Sequence, residues 1–245
     1  MSKIMRRSVP VVMVSIAILS LLAACATSGS SASASTAATA AGAPRAGLVG
    51  EFLFDGEVKD AVGSRNAVAE GTTFVEDRRG RPGSAVAFDG KASVVMLGEG
   101  PGYDVFTVSL WVRPSSIQSS YANIIDDNHR DNINWVSQQN ASEANSYHFG
   151  VSNREGAGVV VYYRLQPEVW QHVVLTKGPD TVAVHLNGAL VESKPSKVAV
   201  NYDANAFMRL GAWGGGGRFW SGAMDDLRIY NRVLSPQEIS ALFSE

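Results

Sequence analysis

Hydrophobic and polar positions alternate along most of the chain after residue 46, which predicts a series of β-strands. The clearest case is Val105 to Arg113, where every second residue is apolar: Phe106, Val108, Leu110 and Val112. Asn187 and Gly188 stand between two alternating runs, which is the strongest short hairpin signal in the sequence. Many strands separated by Gly, Pro and Asn turns predict an all-β fold, a two-sheet antiparallel jelly-roll sandwich.

The last strand of this pattern, Ala223 to Tyr230, is followed by a short predicted helix. Ser235 and Glu238 have the spacing of a capping box, and Pro236 occupies the first helical position between them. Strict alternation along the strand places Leu227 and Ile229 on one face and Met224, Asp226 and Arg228 on the other. The predicted sandwich therefore ends in a short C-terminal helix.

The start of the chain has the pattern of a lipoprotein signal peptide. Three basic residues precede an apolar run, Val11 to Leu22, which is short for a membrane span of about 20 residues. The run leads into Leu22-Ala-Ala-Cys25, a lipobox in which small residues precede the cysteine that receives lipid. We therefore expect residues 1–24 to be a signal peptide and Cys25 to be the lipidation site. The alternative is an ordinary secretory signal with a chance cysteine.

The rest of the chain divides into a tether and one domain. Residues 26–46 are almost entirely Ala, Ser, Thr and Gly, which cannot bury enough apolar surface to order themselves. We therefore expect 25–46 to be the lipidated cysteine with a flexible tether, and 47–245 to be one β-sandwich domain. Loss of residues 1–24 would remove three basic residues and no acid, which changes the formal charge from −2 to −5. An acidic protein offers no electrostatic surface for nucleic acid.

Five short motifs in a fixed order give the domain a family resemblance. They are Phe54-Asp-Gly56, Ala87-Phe-Asp-Gly90, Thr107 to Pro114, Trp170 to Thr176 and Val184 to Gly188. Together with the closing strand and capped helix, they resemble the laminin-G-like (concanavalin A-like lectin/glucanase) jelly-roll domains. The resemblance implies a fold whose usual role is to hold carbohydrate. Relatives often carry a disulfide, which the single cysteine excludes within this chain.

The same resemblance implies a structural calcium ion where the first strand, an FDG turn and the last strand meet. The matching positions are Asp226, the carbonyl of Gly90 and an oxygen near Asp55, a mixture of carboxylate and carbonyl oxygens that suits Ca²⁺. The alternative is that Asp225 and Asp226 are an exposed acid and a turn-capping acid. The four histidines are scattered and do not indicate a zinc site.

Acidic residues do not form an evident catalytic pair. Concanavalin A-like glycosidases generally place Glu and Asp at alternate positions of one strand, and no such alternation occurs. The best acidic set is Asp126, Asp127 and Asp131 around His129, in a polar stretch that predicts a solvated loop. No Gly-x-Ser-x-Gly elbow is present either. We therefore expect the protein not to be an enzyme.

Two segments combine aromatic rings with amide or Arg groups, the chemistry that holds sugars. Residues 132–140 and the histidine that follows supply Asn134, Trp135, Gln138, Asn140 and His148. In a strand the amides share one face and Trp135 lies on the other; the alternative is an edge strand with a polar solvent face. A glycine-rich stretch supplies Trp213, Arg218 and Trp220. The alternative for this stretch is a hairpin turn whose Trp residues pack into the core. Packing in the core is also the role that we expect of Trp111 and Trp170, which lie in predicted strands.

These expectations define a membrane-anchored, non-catalytic binding module at the bacterial cell envelope. Its ligand is expected to be a glycan, and Ala26 after the lipidated cysteine favours the outer membrane or its periplasmic face if the source is Gram-negative. The alternatives are a structural or protein-interaction domain with an envelope or extracellular protein ligand, and a glycoside hydrolase or polysaccharide lyase with an unrecognised site.

Overall fold

The computed structural model describes residues 42–65, 67–99, 103–128, 132–138, 145–153, 157–199, 207–214 and 216–245. These residues form fifteen strands and one helix. The elements are β1 (Leu48–Phe52), β2 (Val68–Glu70), β3 (Thr73–Val75), β4 (Ala85–Asp89), β5 (Val94–Glu99), β6 (Phe106–Pro114), β7 (Asn123–Asn128), β8 (Asn132–Gln138), β9 (Ser146–Asn153), β10 (Gly158–Arg164), β11 (Gln171–Lys177), β12 (Thr181–Leu186), β13 (Ala189–Pro195), β14 (Phe207–Leu210), β15 (Ser221–Tyr230) and α1 (Pro236–Ser244). The predicted all-β class with a short C-terminal helix is confirmed.

The strands form two antiparallel sheets. The first has the order β13-β12-β11-β6-β15-β4-β3, and β1 also pairs with β15. The second has the order β10-β9-β8-β7-β14-β5-β2. Strands that are distant in sequence are therefore neighbours, as β6 and β15 are. This arrangement confirms the predicted two-sheet sandwich.

The central strand β6 shows how the core is built. Its apolar set, Phe106, Val108, Leu110 and Val112, lies in the main hydrophobic core, as the alternation predicted. The opposite face is buried as well, because the C-terminal region covers it. The hydroxyl of Thr107 accepts a hydrogen bond from the Leu234 N–H at 3.1 Å, and the ring of Phe243 stacks on Trp111 at 5.7 Å. The expected packing role of Trp111 is thus confirmed.

The helix α1 begins with the predicted capping box. The Ser235 hydroxyl accepts a hydrogen bond from the Glu238 N–H at 3.3 Å, and the Glu238 carboxylate accepts one from the Ser235 N–H at 2.8 Å. Ile239 and Leu242 then join a second hydrophobic cluster with Tyr230 of β15. The cap stabilises the first turn of the helix, and apolar contacts of its buried face hold it against the first sheet.

A bulge in β15 corrects the predicted alternation of this strand. Asp226 has φ 47°, in the left-handed region, and the pairing with β6 shifts between Asp225 and Arg228. One extra residue reverses the faces that follow it. Met224 consequently lies in the same core cluster as Leu227. Asp225 is not an exposed acid, because its exposed fraction is 0%.

The two ends of the sandwich differ: two loops meet at one end, and the chain enters the domain at the other. Pro114 at the end of β6 pairs with Gly222 near the start of β15, so the loops 115–122 and 211–220 meet at one end, here named the loop end. Leu48 at the start of β1 pairs with Tyr230 at the other end of β15. The chain therefore enters the domain at the end opposite the loop end.

Candidate functional site

An exposed arginine contacts two aromatic rings at the loop end. The guanidinium carbon of Arg218 is 4.7 Å from the ring centroid of Trp213 and 5.5 Å from that of Tyr121. Tyr121 is 47% exposed and Trp213 is half-buried, so both side chains reach solvent. Cation–π attraction holds a guanidinium at such distances. Tyr121, Trp213 and Arg218, here named the aromatic–arginine cluster, present ring surface and hydrogen-bond donors together.

The glycine loop, residues 211–214 and 216–220, is held by backbone hydrogen bonds. The Gly216 N–H donates to the Trp213 carbonyl at 3.0 Å, and the Trp213 N–H donates to the Gly217 carbonyl at 3.2 Å. Gly216 and Gly217 have φ of 87° and 82°, a region that favours glycine. The Asn123 N–H at the start of β7 donates to the Arg218 carbonyl at 2.9 Å. The loop is thereby joined to the second sheet.

A buried carboxylate supports the glycine loop from β7. Asp126 has an exposed fraction of 0%; its Oδ2 accepts a hydrogen bond from the Gly214 N–H at 2.7 Å, and its Oδ1 accepts one from Asn123 Nδ2 at 3.4 Å. Burial raises the pKa of Asp126 to about 6, although the Gly214 N–H and the charges of Arg209 and Arg218 oppose the rise. Asp126 therefore stabilises the loop through a carboxyl group whose protonation changes near neutral pH.

The prediction of a solvated loop around Asp126 is wrong. Asp126 and Asp127 both lie in β7 and are buried, whereas residues 129–131 lie outside the described part of the chain. Ile124 and Ile125, which pack in the core, are the sequence signal that indicated a strand. Consecutive strand residues project to opposite faces, so Asp126 and Asp127 do not form the same-face pair of a glycosidase.

Trp220, a predicted ligand residue, belongs to the core instead. Its exposed fraction is 0%, and its ring meets that of Phe88 edge to face at 5.9 Å. The backbone N–H of Trp220 donates a hydrogen bond to the Gly211 carbonyl at 2.8 Å, and this bond closes the base of the glycine loop. The alternative of a turn whose Trp packs into the core thus holds for Trp220 and not for Trp213.

The other predicted segment lies in β8, which is not an edge strand because β7 and β9 flank it. The register partners are Asp126 and Gly150 for Trp135, Asp127 and Val151 for Asn134, and Tyr147 for Gln138. Of these three positions, only Trp135 shares a row with the carboxylate under the glycine loop. Asn140 lies outside the described residues.

His148 lies two rows from Trp135 in the same sheet. It is in register with Ser137, which is itself in register with Asn123. The His148 ring is half-buried and meets the Tyr162 ring at 6.1 Å. Burial lowers the pKa of His148 to about 4, so the ring is neutral at pH 7. A neutral imidazole both donates and accepts hydrogen bonds, which suits a hydroxyl ligand, and its predicted role stays a prediction.

Two of the three predicted calcium positions have arginine partners. Asp226 Oδ2 lies 2.6 Å from Arg78 Nη1, and Asp55 Oδ1 lies 3.6 Å from Arg81 Nη2. Gly90 forms the turn after β4 with φ 70°. Within the part of the chain that the structure describes, no group of three or more His, Cys, Asp or Glu side chains is suited to a metal ion. Asp226 and Asp55 are paired with guanidinium groups rather than arranged around a metal ion, and calcium stays an untested prediction.

The predicted anchor cannot be placed on this structure. The signal peptide 1–24, Cys25 and the tether to residue 41 lie outside the described residues. Among the residues that are described, no helix has the length and apolar character needed to cross a membrane.

Comparison with known proteins identifies a family model and several similar folds. The model described as the concanavalin A-like lectin/glucanases superfamily matches residues 89–240. The binding domain of Paraclostridial Mosquitocidal Protein 1 has 18% identity and a TM-score of 0.66, with 80% of this chain and 52% of that chain covered. The binding domain of botulinum neurotoxin serotype G has 14% identity and a TM-score of 0.66, with 80% and 50% covered.

A third similar structure is closer in length. It is domain 4 of AbnA, a GH43 extracellular arabinanase from Geobacillus stearothermophilus, in complex with arabinotriose, at 20% identity and a TM-score of 0.64. The match covers 80% of this chain and 98% of that chain. The chain thus spans about half the length of the two toxin domains and nearly the whole arabinanase domain. At these identities the likeness concerns the fold.

Proposed function

Because the chain belongs to the concanavalin A-like lectin/glucanase superfamily, we propose that its domain is a non-catalytic module that binds carbohydrate at the aromatic–arginine cluster. The observation that carries this proposal is the contact of exposed Arg218 with the rings of Trp213 and Tyr121. Aromatic planes pack against the apolar face of a sugar ring, and a guanidinium donates several hydrogen bonds from a fixed geometry. The cluster supplies both groups at one surface.

The support beneath the cluster favours a binding role. The hydrogen bonds from Gly214 to Asp126 and from Asn123 to the Arg218 carbonyl fix the glycine loop before any ligand arrives. A preorganised loop loses less conformational entropy on binding, so more of the contact energy appears as affinity. Of the two described carboxylates of β7, Asp126 lies beneath the loop and Asp127 projects to the opposite face, so they do not form the same-face pair that glycoside hydrolysis uses.

The similar structures support the same class of function. Two are binding domains of toxins, and the third is an arabinanase domain in complex with arabinotriose. We therefore propose an oligosaccharide, rather than a monosaccharide, as the ligand of the cluster. The rings of Trp213 and Tyr121 lie on two different loops and provide surface for more than one sugar residue.

The test is binding of the full-length protein to a glycan array, followed by calorimetry with the best oligosaccharide. We expect Trp213→Ala and Tyr121→Ala each to weaken binding about tenfold, which corresponds to about 1.4 kcal/mol. Tyr162→Ala is the matched control, since Tyr162 is a similarly exposed tyrosine at 43% that lies outside the cluster. Equal loss in all three variants, or no binding to any glycan, would contradict the proposal.

A protein ligand is the second candidate for this surface. Ile117, in the same loop as Tyr121, is 83% exposed, and an exposed apolar side chain beside an aromatic one is typical of protein contacts. A clean glycan array together with co-purification of an envelope protein, lost in Ile117→Asp, would favour this candidate.

We also propose that the module is anchored to the bacterial envelope through lipid on Cys25. The lipobox and the tether that follows it support this placement.

A further inference from the structure

A cavity separate from the aromatic–arginine cluster lies at the loop end, between the two sheets. Its volume is about 420 Å³, within the range of small-ligand sites. Its lining residues come from the start of β9, the loop between β10 and β11, and the hairpin between β12 and β13, and they include Asn145, Arg164, Gln166, Trp170, Leu186 and Asn187. In the second sheet, β9 is two strand positions from β7, which is roughly 10 Å.

The side chain of Gln171 fixes one wall of this cavity. Its Nε2 donates to the carbonyls of Gln166 at 2.9 Å and Val169 at 3.2 Å, and its Oε1 accepts from the Gln166 N–H at 3.0 Å. Gln171 is 4% exposed, so these bonds are shielded from water. Loop residues 166–170 are thereby held by the first residue of β11.

Three further hydrogen bonds tie the walls to the sandwich. The Glu168 N–H donates to the Pro114 carbonyl at 2.8 Å, and the Glu168 carboxylate accepts a hydrogen bond from the Ser116 N–H at 2.8 Å. On the other side, the Leu165 N–H donates to the Asn145 carbonyl at 3.0 Å. The cavity is consequently preformed, which reduces the entropy lost when a ligand binds.

The lining combines an aromatic ring, amides and one cation. Trp170 is half-buried, and the Arg113 guanidinium carbon lies 5.1 Å from its ring centroid. The Trp170 Nε1 is buried and has no hydrogen-bond partner among the described residues. Arg164 is exposed at the rim of the cavity. Among the described residues that line the cavity, Arg164 carries a positive charge and none is acidic, whereas the carboxylate of Glu168 in the same loop is engaged by the Ser116 N–H.

We propose that this cavity is a second binding site, for an acidic sugar whose carboxylate faces Arg164 and whose ring packs on Trp170. The amides of Asn145 and Gln166 are suited to hydroxyl groups. An arginine pairs a carboxylate with two parallel charge-assisted hydrogen bonds, which are stronger than the hydrogen bonds it donates to the neutral hydroxyls of a sugar. The site is independent of the aromatic–arginine cluster and of its proposed ligand.

The experiment uses the full-length protein labelled with 5-fluorotryptophan and followed by ¹⁹F NMR. The chain has five tryptophans, and Trp170→Phe assigns the Trp170 signal. The probes are glucuronic acid and glucose, which differ in one carboxylate. We expect glucuronic acid to shift the Trp170 signal with at least tenfold higher affinity than glucose. Arg164→Gln should abolish that preference, and Arg164→Lys should restore part of it.

Arg218→Gln is the matched control, because it removes an exposed arginine from the cluster and should leave the Trp170 response unchanged. Acetate is the second control, since it supplies a carboxylate without a ring. Three outcomes would overturn the proposal: no shift of the Trp170 signal, equal affinity for the two sugars, or an equal shift with acetate. Loss of the glucuronic acid response in Arg218→Gln alone would assign the acid to the cluster and would overturn it as well.

Discussion

At the scale of single residues, the protonation of Asp126 should make ligand affinity at the binding surface depend on pH. Its pKa is raised to about 6 because burial disfavours the charged form. The ionised carboxylate accepts the Gly214 N–H and attracts Arg218, so protonation weakens the support of the glycine loop. We expect glycan affinity to fall severalfold between pH 7 and pH 5 in calorimetric titrations. Asp126→Asn should flatten this profile, and an unchanged profile in that variant would contradict the assignment.

The folding stability linked to Asp126 should change in the opposite direction. Its folded-state pKa lies above the ordinary value of 3.8, so the folded protein binds this proton more tightly than the unfolded chain does. The resulting stabilisation is present below pH 3.8 and is lost as pH rises through about 6. The difference in unfolding free energy between wild type and Asp126→Asn, measured in urea from pH 4 to 7, isolates this contribution.

Arg78 bridges two buried carboxylates beside the bulge of β15. Its Nη1 lies 2.6 Å from Asp225 Oδ2 and 2.6 Å from Asp226 Oδ2, and its side chain is 6% exposed. Removal of one partner from a buried ion pair costs about 3–5 kcal/mol. We therefore expect Arg78→Met to lower the unfolding free energy by that amount in urea denaturation.

The contact between Arg78 and Asp226 also provides a test of the calcium prediction. Since Arg78 already pairs with Asp226, addition of EDTA or calcium chloride should leave the wild-type melting temperature unchanged. A calcium-dependent rise that Asp226→Asn abolishes would instead support the metal site.

At the scale of elements, the sequence predicted what depends on local pattern and failed where tertiary context decides. The capping box of α1 was predictable because Ser235 and Glu238 satisfy each other within one turn. The bulge at Asp226 was not, because it depends on the pairing of β15 with β6 and on the contact with Arg78, which are both distant in sequence. The burial of Asp126 was missed for a similar reason: the loop that covers it lies 88 residues later in the chain.

The helix α1 should stabilise the domain mainly through its buried face. Leu242 is 0% exposed and packs with Tyr230, so Leu242→Ala should cost about 2–5 kcal/mol. Ser235→Ala removes one capping hydrogen bond and should cost about 1 kcal/mol. Urea denaturation of both variants checks this ratio, and the exposed Gln237→Ala is the control. An equal loss for the cap and core variants would contradict the packing argument.

At the scale of the whole molecule, the binding surface and the chain entry lie at opposite ends of one strand. The glycine loop leads into Ser221, whereas Leu48 pairs with Tyr230 at the other end of β15. Ten strand residues at about 3.3 Å each separate the two ends by roughly 30 Å. The sequence could predict a tether and an aromatic loop, but their opposite placement depends on strand order.

This polarity predicts that the anchor and the binding site act independently. We expect the wild-type protein to sediment with membranes after cell lysis and Cys25→Ser to remain in the soluble fraction, because the acyl chains contribute about 0.8 kcal/mol per buried methylene. Glycan affinity should be equal in the two proteins, since the entry point and the cluster are roughly 30 Å apart. Thr27→Ser, a conservative change next to the lipobox, is the control. Sedimentation of Cys25→Ser with membranes would contradict the anchor, whereas a soluble variant with weakened glycan binding would contradict the separation of the two ends.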